Sequence, residues 1–346
     1  MDTSYGLLPT TVIGSHAIPS WLWTALEAMD AGKYGPSDTR ETFDDAVNTA
    51  ILDQERAGVD VITDGEMRRW YFVQSFYRRF EGLEDVGVLR KVGVYGYDSV
   101  PRYRPVARVK VPHGLGIVDE FKYLKTHTQS KIKATCPGPL TLTIHIQLHD
   151  DKVYKSRLDL AWEMAGAINT ELKALVDAGA EFIQLDEPSF AIIPGETTEW
   201  VRLINAALDG VNAKIGLHVC FGNLSSRPRG RRDYSPFFPA LLEARCDQFI
   251  FEFANREMKE ASIFHDVGID REFGAGVIDV KSFYVETPND VTERVRTMLK
   301  YVPADKLWIT PDCGFFQLPR WLAFQKLRSM VEGVRIVRQE LTGTSA

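Results

Sequence analysis

Eight short runs of apolar and β-branched residues recur along this chain, and each closes on or beside a Gly, Pro, Asn or acidic residue. The runs span residues 10–15, 59–66, 131–138, 181–188, 214–222, 248–255, 272–280 and 306–314. Amphipathic segments lie between several of them, at 42–57, 154–178, 287–301 and 319–341, with apolar residues three and four positions apart. Strand-length runs that alternate with helix-length segments predict parallel strands joined by helices. The sequence therefore predicts a (β/α)8 TIM barrel.

The segment at about residues 70–130 breaks this alternation. It contains a Gly-rich, aromatic stretch of alternating polarity, VGVYGYDSVPRYRPVARVKV, which is typical of β-hairpins and meanders. We expect an inserted β-hairpin or meander after the second strand. No internal repeat or Ser/Gly-rich linker divides the chain, so residues 1–346 are predicted to form a single domain.

The charge balance and the N-terminus narrow the possible partners. The chain carries 41 Lys and Arg against 47 Asp and Glu, so it lacks the positive charge typical of nucleic-acid-binding proteins. Residues 1–9 lack the basic and apolar regions of a signal peptide, and no run of about 18 apolar residues could span a membrane. We predict a cytoplasmic protein with a small-molecule partner, no nucleic acid and no membrane, whose four cysteines stay reduced.

Polar side chains gather at the ends of the predicted strands. In a barrel of parallel strands, the loops after the strands share one rim, and that rim forms the active site. Any one polar residue can also simply mark the end of a strand. Together they predict an active site at this rim, built from Ser15, Asp64, Glu66, Asp186, Glu187, His218, Cys220, Glu252, Asp279 and Cys313.

His218 and Cys220 form the most specific pattern. Side chains alternate along a strand, so these two point to the same face, and Cys313 near the end of the eighth strand would add a third ligand. One imidazole and two thiolates are ligands that zinc prefers. The alternative is that His218 is a hydrogen-bonded core residue and that the cysteines pack as small apolar groups.

Glu252 ends an otherwise apolar run, FIFEF at residues 249–253. A buried carboxylate needs a partner, and coordination of zinc as a fourth ligand would provide one. Two thiolates and a carboxylate would give the zinc centre a net charge of about −1, which suits a bound substrate thiolate better than activation of water. The ligand set therefore favours alkyl transfer to sulfur over hydrolysis.

Six motifs resemble, in order, those of the C-terminal catalytic barrel of cobalamin-independent methionine synthase, and the resemblance covers nearly the whole chain. They are Ile13-Gly14-Ser15, Asp64-Gly65-Glu66, Asp186-Glu187-Pro188, His218-x-Cys220, Glu252 and Pro311-Asp312-Cys313-Gly314. The resemblance implies four zinc ligands, namely His218, Cys220, Glu252 and Cys313. It also implies homocysteine as the thiol substrate, with its amino group near Glu66 and Asp186 and its carboxylate near Ser15. Two buried acids suit an ammonium group.

The chain departs from this family where the methyl donor would bind. The family has an Asn-Trp pair after the third strand, with the Trp stacked on folate, where this chain reads PLTLTIH at residues 139–145. The family has Asp-x-His after the seventh strand, where this chain has Asp279 and Lys281, the candidate catalytic residues. The N-terminal barrel of full-length members has no counterpart in these 346 residues. The expected donor is therefore a methyl-corrinoid, either methylcobalamin or a corrinoid protein, rather than methyltetrahydrofolate.

Three other functions stay open on the sequence alone. An epoxide:coenzyme M transferase would open an epoxide with a zinc-activated thiol, although Glu66 and Asp186 would repel a sulfonate. A metal-free decarboxylase resembling uroporphyrinogen decarboxylase would not need the His218-x-Cys220 motif, and a non-catalytic scaffold would not need a polar rim. A run of arginines after Cys220 could bind a sulfonate, phosphate or carboxylate, or could be a solvated loop; it comprises Arg227, Arg229, Arg231 and Arg232.

Overall fold

The computed structural model describes residues 5–69, 72–88, 101–148, 152–223 and 228–343, and the chain is an α/β protein. The strands are β1 (Val61–Ile62), β2 (Glu81–Gly87), β3 (Arg102–Lys110), β4 (Lys131–Ile132), β5 (Ala134–Pro137), β6 (Phe182–Asp186), β7 (Lys214–Val219), β8 (Gln248–Glu252), β9 (Glu272–Ile278) and β10 (Leu307–Pro311). The helices are α1 (Ser20–Asp30), α2 (Pro36–Ala57), α3 (Gln74–Tyr77), α4 (Ile117–His127), α5 (Arg157–Asp177), α6 (Thr197–Ala207), α7 (Ile263–Asp266), α8 (Pro288–Met298) and α9 (Arg320–Thr342).

The chain divides into two compact units, each assembled from separate stretches of sequence. The first comprises Met1–Arg68, Tyr123–Lys133 and Gln248–Ala346, and the second comprises Arg69–Lys122 and Ala134–Asp247. Each unit therefore brings together residues that are distant in sequence.

In the first unit, β8, β9 and β10 pair in parallel. The N-terminal segment continues this order, because Thr10 bridges Ile309 of β10 and Thr11 bridges Val61 of β1, both in parallel. β1 then pairs in parallel with β4. The C-terminal ends of these strands consequently lie at one edge, which is where Glu252 and Cys313 occur.

In the second unit, β5, β6 and β7 pair in parallel, and the register sets Asp186 of β6 opposite His218 of β7. β2 and β3 form an antiparallel pair within the segment predicted to be an insertion. Residues 89–100, at the centre of that prediction, lie outside the described ranges.

The local sequence explains where these elements form. Every residue of β6 and of β8 is buried, as expected for parallel strands that are covered on both faces. α5 and α8 begin at capping boxes in which Ser156 pairs with Asp159, and Thr287 with Asp290. α2 ends at Gly58, whose φ of 83° is readily adopted only by glycine.

Two predicted strands differ from the structure. The first run, 10–15, makes only the two isolated bridges of Thr10 and Thr11. The third run is divided into β4 and β5 at Lys133, whose N–H donates to the Ile62 carbonyl at 3.0 Å. The four amphipathic segments named from the sequence correspond to α2, α5, α8 and α9, and the other helices lie outside them. α4 lies at the end of the predicted insertion, where helical spacing of Ile117, Phe121 and Leu124 follows the strand-like text.

The strand pairings given above set the order of the strands within each unit. That all eight predicted strands close into a barrel stays a prediction, and so does a single domain over residues 1–346. Within the described ranges, no helix combines the length and the apolar character needed to cross a membrane.

Candidate active site

His218 is held in one orientation by Asp186. The two residues are opposite each other in the β6–β7 register, and His218 Nδ1 lies 2.8 Å from Asp186 Oδ1. Both side chains are buried, and Asp186 Oδ1 also accepts a hydrogen bond from Gln184 Nε2 at 2.7 Å. Because a carboxylate accepts and does not donate, Nδ1 carries the proton and Nε2 is the nitrogen suited to a metal. Asp186, predicted to bind a substrate ammonium, thus also orients a candidate ligand.

Cys220 follows β7 directly and is fully buried. The chain after it folds back, since the Phe221 carbonyl accepts the N–H groups of Arg229 and Gly230 at 2.6 and 3.1 Å. Gly222, with φ +81°, lies at the turn. The backbone after β7 therefore fixes the thiol at the end of the strand.

The arginine run is exposed where it is described. Arg229, Arg231 and Arg232 are all exposed, and Arg231 pairs with Asp233 at 3.2 Å. Arg227 lies outside the described residues. These positions have the character of a solvated loop.

In the first unit, Asp312 connects the end of β8 to the end of β10. Its Oδ1 accepts the N–H groups of Phe253 and Ala254, both at 2.9 Å, and its Oδ2 accepts that of Asn255 at 2.6 Å. Burial and the neighbouring Glu252 carboxylate raise the pKa of Asp312 to about 8, while Lys281 and the backbone donors oppose this shift. Asp312 immediately precedes Cys313, so the same side chain fixes the positions of Glu252 and Cys313.

Glu252 forms a buried ion pair with Lys281. Lys281 Nζ lies 3.0 Å from Glu252 Oε2, and the two side chains are 2% and 0% exposed. The loop that carries Lys281 is itself fixed, because the Lys281 N–H donates to Asp279 Oδ1 and the Asp279 N–H donates to Glu286 Oε1, both at 2.8 Å. The two candidate catalytic residues thus belong to one network with a candidate zinc ligand.

Three of the four predicted ligands come together. The ligand atoms of His218, Cys220 and Cys313 all lie within 4.8 Å of one another, and among the described residues they form the group with metal-site spacing. Glu252 is not a member of that group. One imidazole and two sulfurs make a soft donor set that fits zinc better than magnesium or calcium.

The predicted substrate residues lie on two tight turns. The Ser15 carbonyl accepts the Phe315 N–H at 2.8 Å, and a Cβ on Gly314 would lie 2.0 Å from Ser15 Oγ, so any larger residue at position 314 would displace this hydroxyl. Glu66 has a left-handed backbone with φ 54° and is buried. Its N–H donates to Asp64 Oδ1 at 3.0 Å, which stabilises a conformation that is costly for a non-glycine residue.

His16, beside Ser15, belongs to a triad with Asp53 and Arg320, in which His16 and Asp53 are buried and which the strand-end pattern did not predict. His16 Nε2 lies 3.0 Å from Asp53 Oδ2, and Arg320 donates two hydrogen bonds to the same carboxylate at 2.6 and 2.8 Å. Burial favours the neutral form of Asp53, but the hydrogen bonds from His16 and Arg320 outweigh it and lower the pKa to about 2. The available signal was an acidic residue on the apolar face of α2, between Ile51 and Ala57.

Glu187 has a structural role that the sequence analysis did not assign. Its carboxylate accepts the Leu140 N–H and the Thr141 hydroxyl, both at 2.8 Å, which fixes the loop after β5. Burial raises the pKa of Glu187 to about 8, although the hydrogen bonds from Thr141 and Leu140 act to lower it. The loop leads to His145, whose pKa is lowered to about 3 by burial and by the nearby Arg102. The loop after β5 therefore carries a neutral, half-buried imidazole at His145.

Comparison with known proteins agrees with these motifs. A sequence model described as the catalytic domain of cobalamin-independent synthase matches residues 8–335, a range that includes every candidate site residue. Methionine synthases of Saccharolobus solfataricus and Sulfurisphaera tokodaii are each 39% identical over 336 residues, covering 97% of this chain and 96% and 94% of theirs. The structure of a B12-independent methionine synthase from Shewanella sp. W3-18-1, in complex with selenomethionine, superposes with a TM-score of 0.84 at 29% identity, covering 98% of this chain and 100% of that one.

Proposed function

This chain belongs to the cobalamin-independent methionine synthase family, and we propose that it transfers a methyl group to the thiol of homocysteine at a zinc site formed by His218, Cys220 and Cys313. The family match supports an enzyme of methionine synthase type. The observation that carries the metal part of the proposal is the grouping of one imidazole and two thiols within 4.8 Å.

The three side chains are of the types that zinc prefers, and His218 is oriented by a neighbouring carboxylate. Asp186 holds His218 Nδ1, an arrangement that orients the ring and raises the basicity of the other nitrogen. Bound zinc would hold the substrate sulfur as a thiolate, which is the nucleophilic form of a thiol. Glu252 is the proposed fourth ligand on the family resemblance, and in this chain it is already paired with Lys281.

The amino acid part of homocysteine is assigned to the acids and to the turn next to Cys313. Glu66 and Asp186 would bind the ammonium group, because both are buried carboxylates. Ser15 would bind the carboxylate. Its hydroxyl packs against Gly314, the residue after Cys313, so the carboxylate site and a metal ligand would share one turn.

A methyl-corrinoid, either methylcobalamin or a corrinoid protein, is the proposed donor. Transfer from a folate requires a proton on the departing nitrogen and a surface for the pterin, whereas cobalt leaves as a stable Co(I) species without a proton. His145 offers no tryptophan face, and the Lys281 ammonium, in place of the family's histidine, is bound to Glu252. Methyltetrahydrofolate, the donor that the family resemblance implies, is the competing substrate.

Two measurements test the proposal. Metal analysis of the purified protein should give about one zinc per chain, since three soft ligands form a tight site. Methyl transfer to homocysteine should be faster with methylcobalamin than with mono- or polyglutamyl methyltetrahydrofolate at equal concentration. A metal-free protein that retains activity would remove the zinc assignment, and faster turnover with either folate would remove the corrinoid donor.

The alternative epoxide:coenzyme M transferase has no support from the relatives, which are methionine synthases. The arginines that would bind its sulfonate are exposed at positions 229, 231 and 232. A closed (β/α)8 barrel is proposed on the superposition with the Shewanella enzyme. Cytoplasmic location stays a prediction.

A further inference from the structure

The ion pair between Lys281 and Glu252 places a cation on the carboxylate that the family resemblance assigns to zinc. Its nitrogen–oxygen distance is 3.0 Å and both side chains are almost completely excluded from solvent. Inside a protein, separating such a pair leaves two poorly solvated charges, so breaking it is costly. Lys281 holds Oε2, one of the two carboxylate oxygens, so any metal that takes Glu252 as a ligand shares the negative charge of this carboxylate with the Lys281 ammonium.

Lys281 is held in place for this contact by a second buried network. Lys326 is fully buried, and its Nζ donates to the Asp279 carbonyl and to Glu286 Oε2, both at 2.8 Å. Glu286 Oε1 in turn accepts the Asp279 N–H, and Asp279 Oδ1 accepts the Lys281 N–H. The backbone at Lys281 is thus held by these contacts, so the pairing with Glu252 costs side-chain entropy but no further backbone entropy.

Glu252 is equally constrained. Asp312 accepts three consecutive backbone N–H groups directly after it, at Phe253, Ala254 and Asn255. The carboxylate therefore cannot escape Lys281 by a shift of the strand end. The group of ligand atoms within 4.8 Å contains His218, Cys220 and Cys313 and does not contain Glu252.

From this geometry we infer that Lys281 is a positioning residue that competes with zinc for Glu252, weakening the fourth protein ligand and keeping that coordination position exchangeable for the substrate sulfur. Zinc bound by the thiolates of Cys220 and Cys313 would carry no net charge. Glu252 would add little negative charge to this centre, because its carboxylate is paired with the Lys281 ammonium. The inference rests on the proposed zinc site, and it concerns the ligand strength of Glu252 rather than the identity of the other three ligands.

Zinc affinity tests this directly. The metal-free protein is titrated with zinc in competition with a chromophoric chelator, for the wild type and for Lys281→Met, which keeps the chain length and removes the charge. We expect Lys281→Met to bind zinc about tenfold more tightly, because Glu252 becomes fully available. Lys281→Arg, which keeps the cation, should stay within about threefold of the wild type.

A double-mutant cycle separates this role from a merely structural one. Glu252→Gln should cost about threefold in zinc affinity in the wild type and about thirtyfold in the Lys281→Met background. In cobalt-loaded protein, the thiolate-to-metal absorbance should saturate at about tenfold higher homocysteine concentration for Lys281→Met, since the fourth ligand is harder to displace. Lys281→Gln replaces Lys281→Met throughout if the methionine variant does not fold.

The outcomes are distinct. Equal or weaker zinc binding by Lys281→Met and Lys281→Gln, or equal costs of Glu252→Gln in both backgrounds, would overturn the role of Lys281. A wild type that binds no zinc would instead overturn the proposed function on which the inference rests.

Discussion

The ends of β6 and β7 differ in their electrostatics from the ends of β8 and β9. At the first pair, His218 is oriented by a single carboxylate, Asp186, and Cys220 follows on the same strand. At the second pair, the Glu252 carboxylate after β8 forms a buried ion pair with Lys281 after β9, and Asp312, which follows β10, accepts the N–H of the next residue, Phe253. The first arrangement has one stable geometry for a ligand. In the second, a buried ammonium is already bound to the candidate ligand Glu252.

The largest expected effect is the loss of a thiolate. Cys313→Ser or Cys220→Ser should lose zinc and at least about a hundredfold in methyl transfer together, because a hydroxyl remains protonated where a thiol would ionise on the metal. Metal content and turnover are measured on the same preparations. Cys246→Ser, outside the ligand group, is the matched control. If either ligand variant retained full activity without zinc, methyl transfer would not depend on a metal at these residues.

The next effect tests the first region alone. Asp186→Ala removes the acceptor at 2.8 Å from His218 Nδ1, and we expect zinc affinity to fall about 10- to 100-fold. Asp186→Asn keeps an oxygen acceptor and should recover part of this loss. Chelator competition gives both affinities. If the two variants bind zinc as the wild type does, the orienting role of Asp186 is wrong.

A smaller effect is expected at Glu66, which carries no metal role. Glu66→Gln should keep zinc and raise the KM for homocysteine about tenfold, because one charge partner of the ammonium is lost. Turnover with a small thiol that lacks the amino group is the comparison, and it should change little. An equal loss with that thiol would exclude Glu66 from ammonium binding.

The triad of His16, Asp53 and Arg320 offers a prediction on stability. The pKa of Asp53 is lowered from 3.8 to about 2 in the folded protein, so the carboxylate contributes stability above about pH 4 that is lost as the pH falls through 2. Asp53→Asn should therefore lower the free energy of unfolding by about 2 kcal/mol at pH 7, and by progressively less below pH 4. Urea unfolding of both proteins at several pH values measures this. A deficit that stays constant down to pH 2 would show that charge is not its cause.

The sequence predicted the alternation of strands and helices because buried parallel strands are continuous apolar runs, as in β6 and β8. It also predicted that His218, Cys220 and Cys313 form a group with metal-site spacing. The sequence did not predict which side chains form ion pairs in and near the candidate site. The pairing of Lys281 with Glu252, and of Asp53 with Arg320, depends on side chains that are 29 and 267 positions apart, which no local pattern encodes. Alternation of side chains along a strand identifies the face of a residue but not its partner.

The smallest effect is expected at Arg231, an exposed member of the arginine run. Arg231 is 84% exposed and pairs only with the nearby Asp233 among the contacts described for it. A pair this exposed contributes little to stability, and its loss should change KM values by less than about twofold. Arg231→Ala, compared with Asp233→Asn, would be measured with each methyl donor and with intact zinc content confirmed. A drop of about tenfold with one donor only would assign the loop to that donor, because a uniform structural defect would affect both.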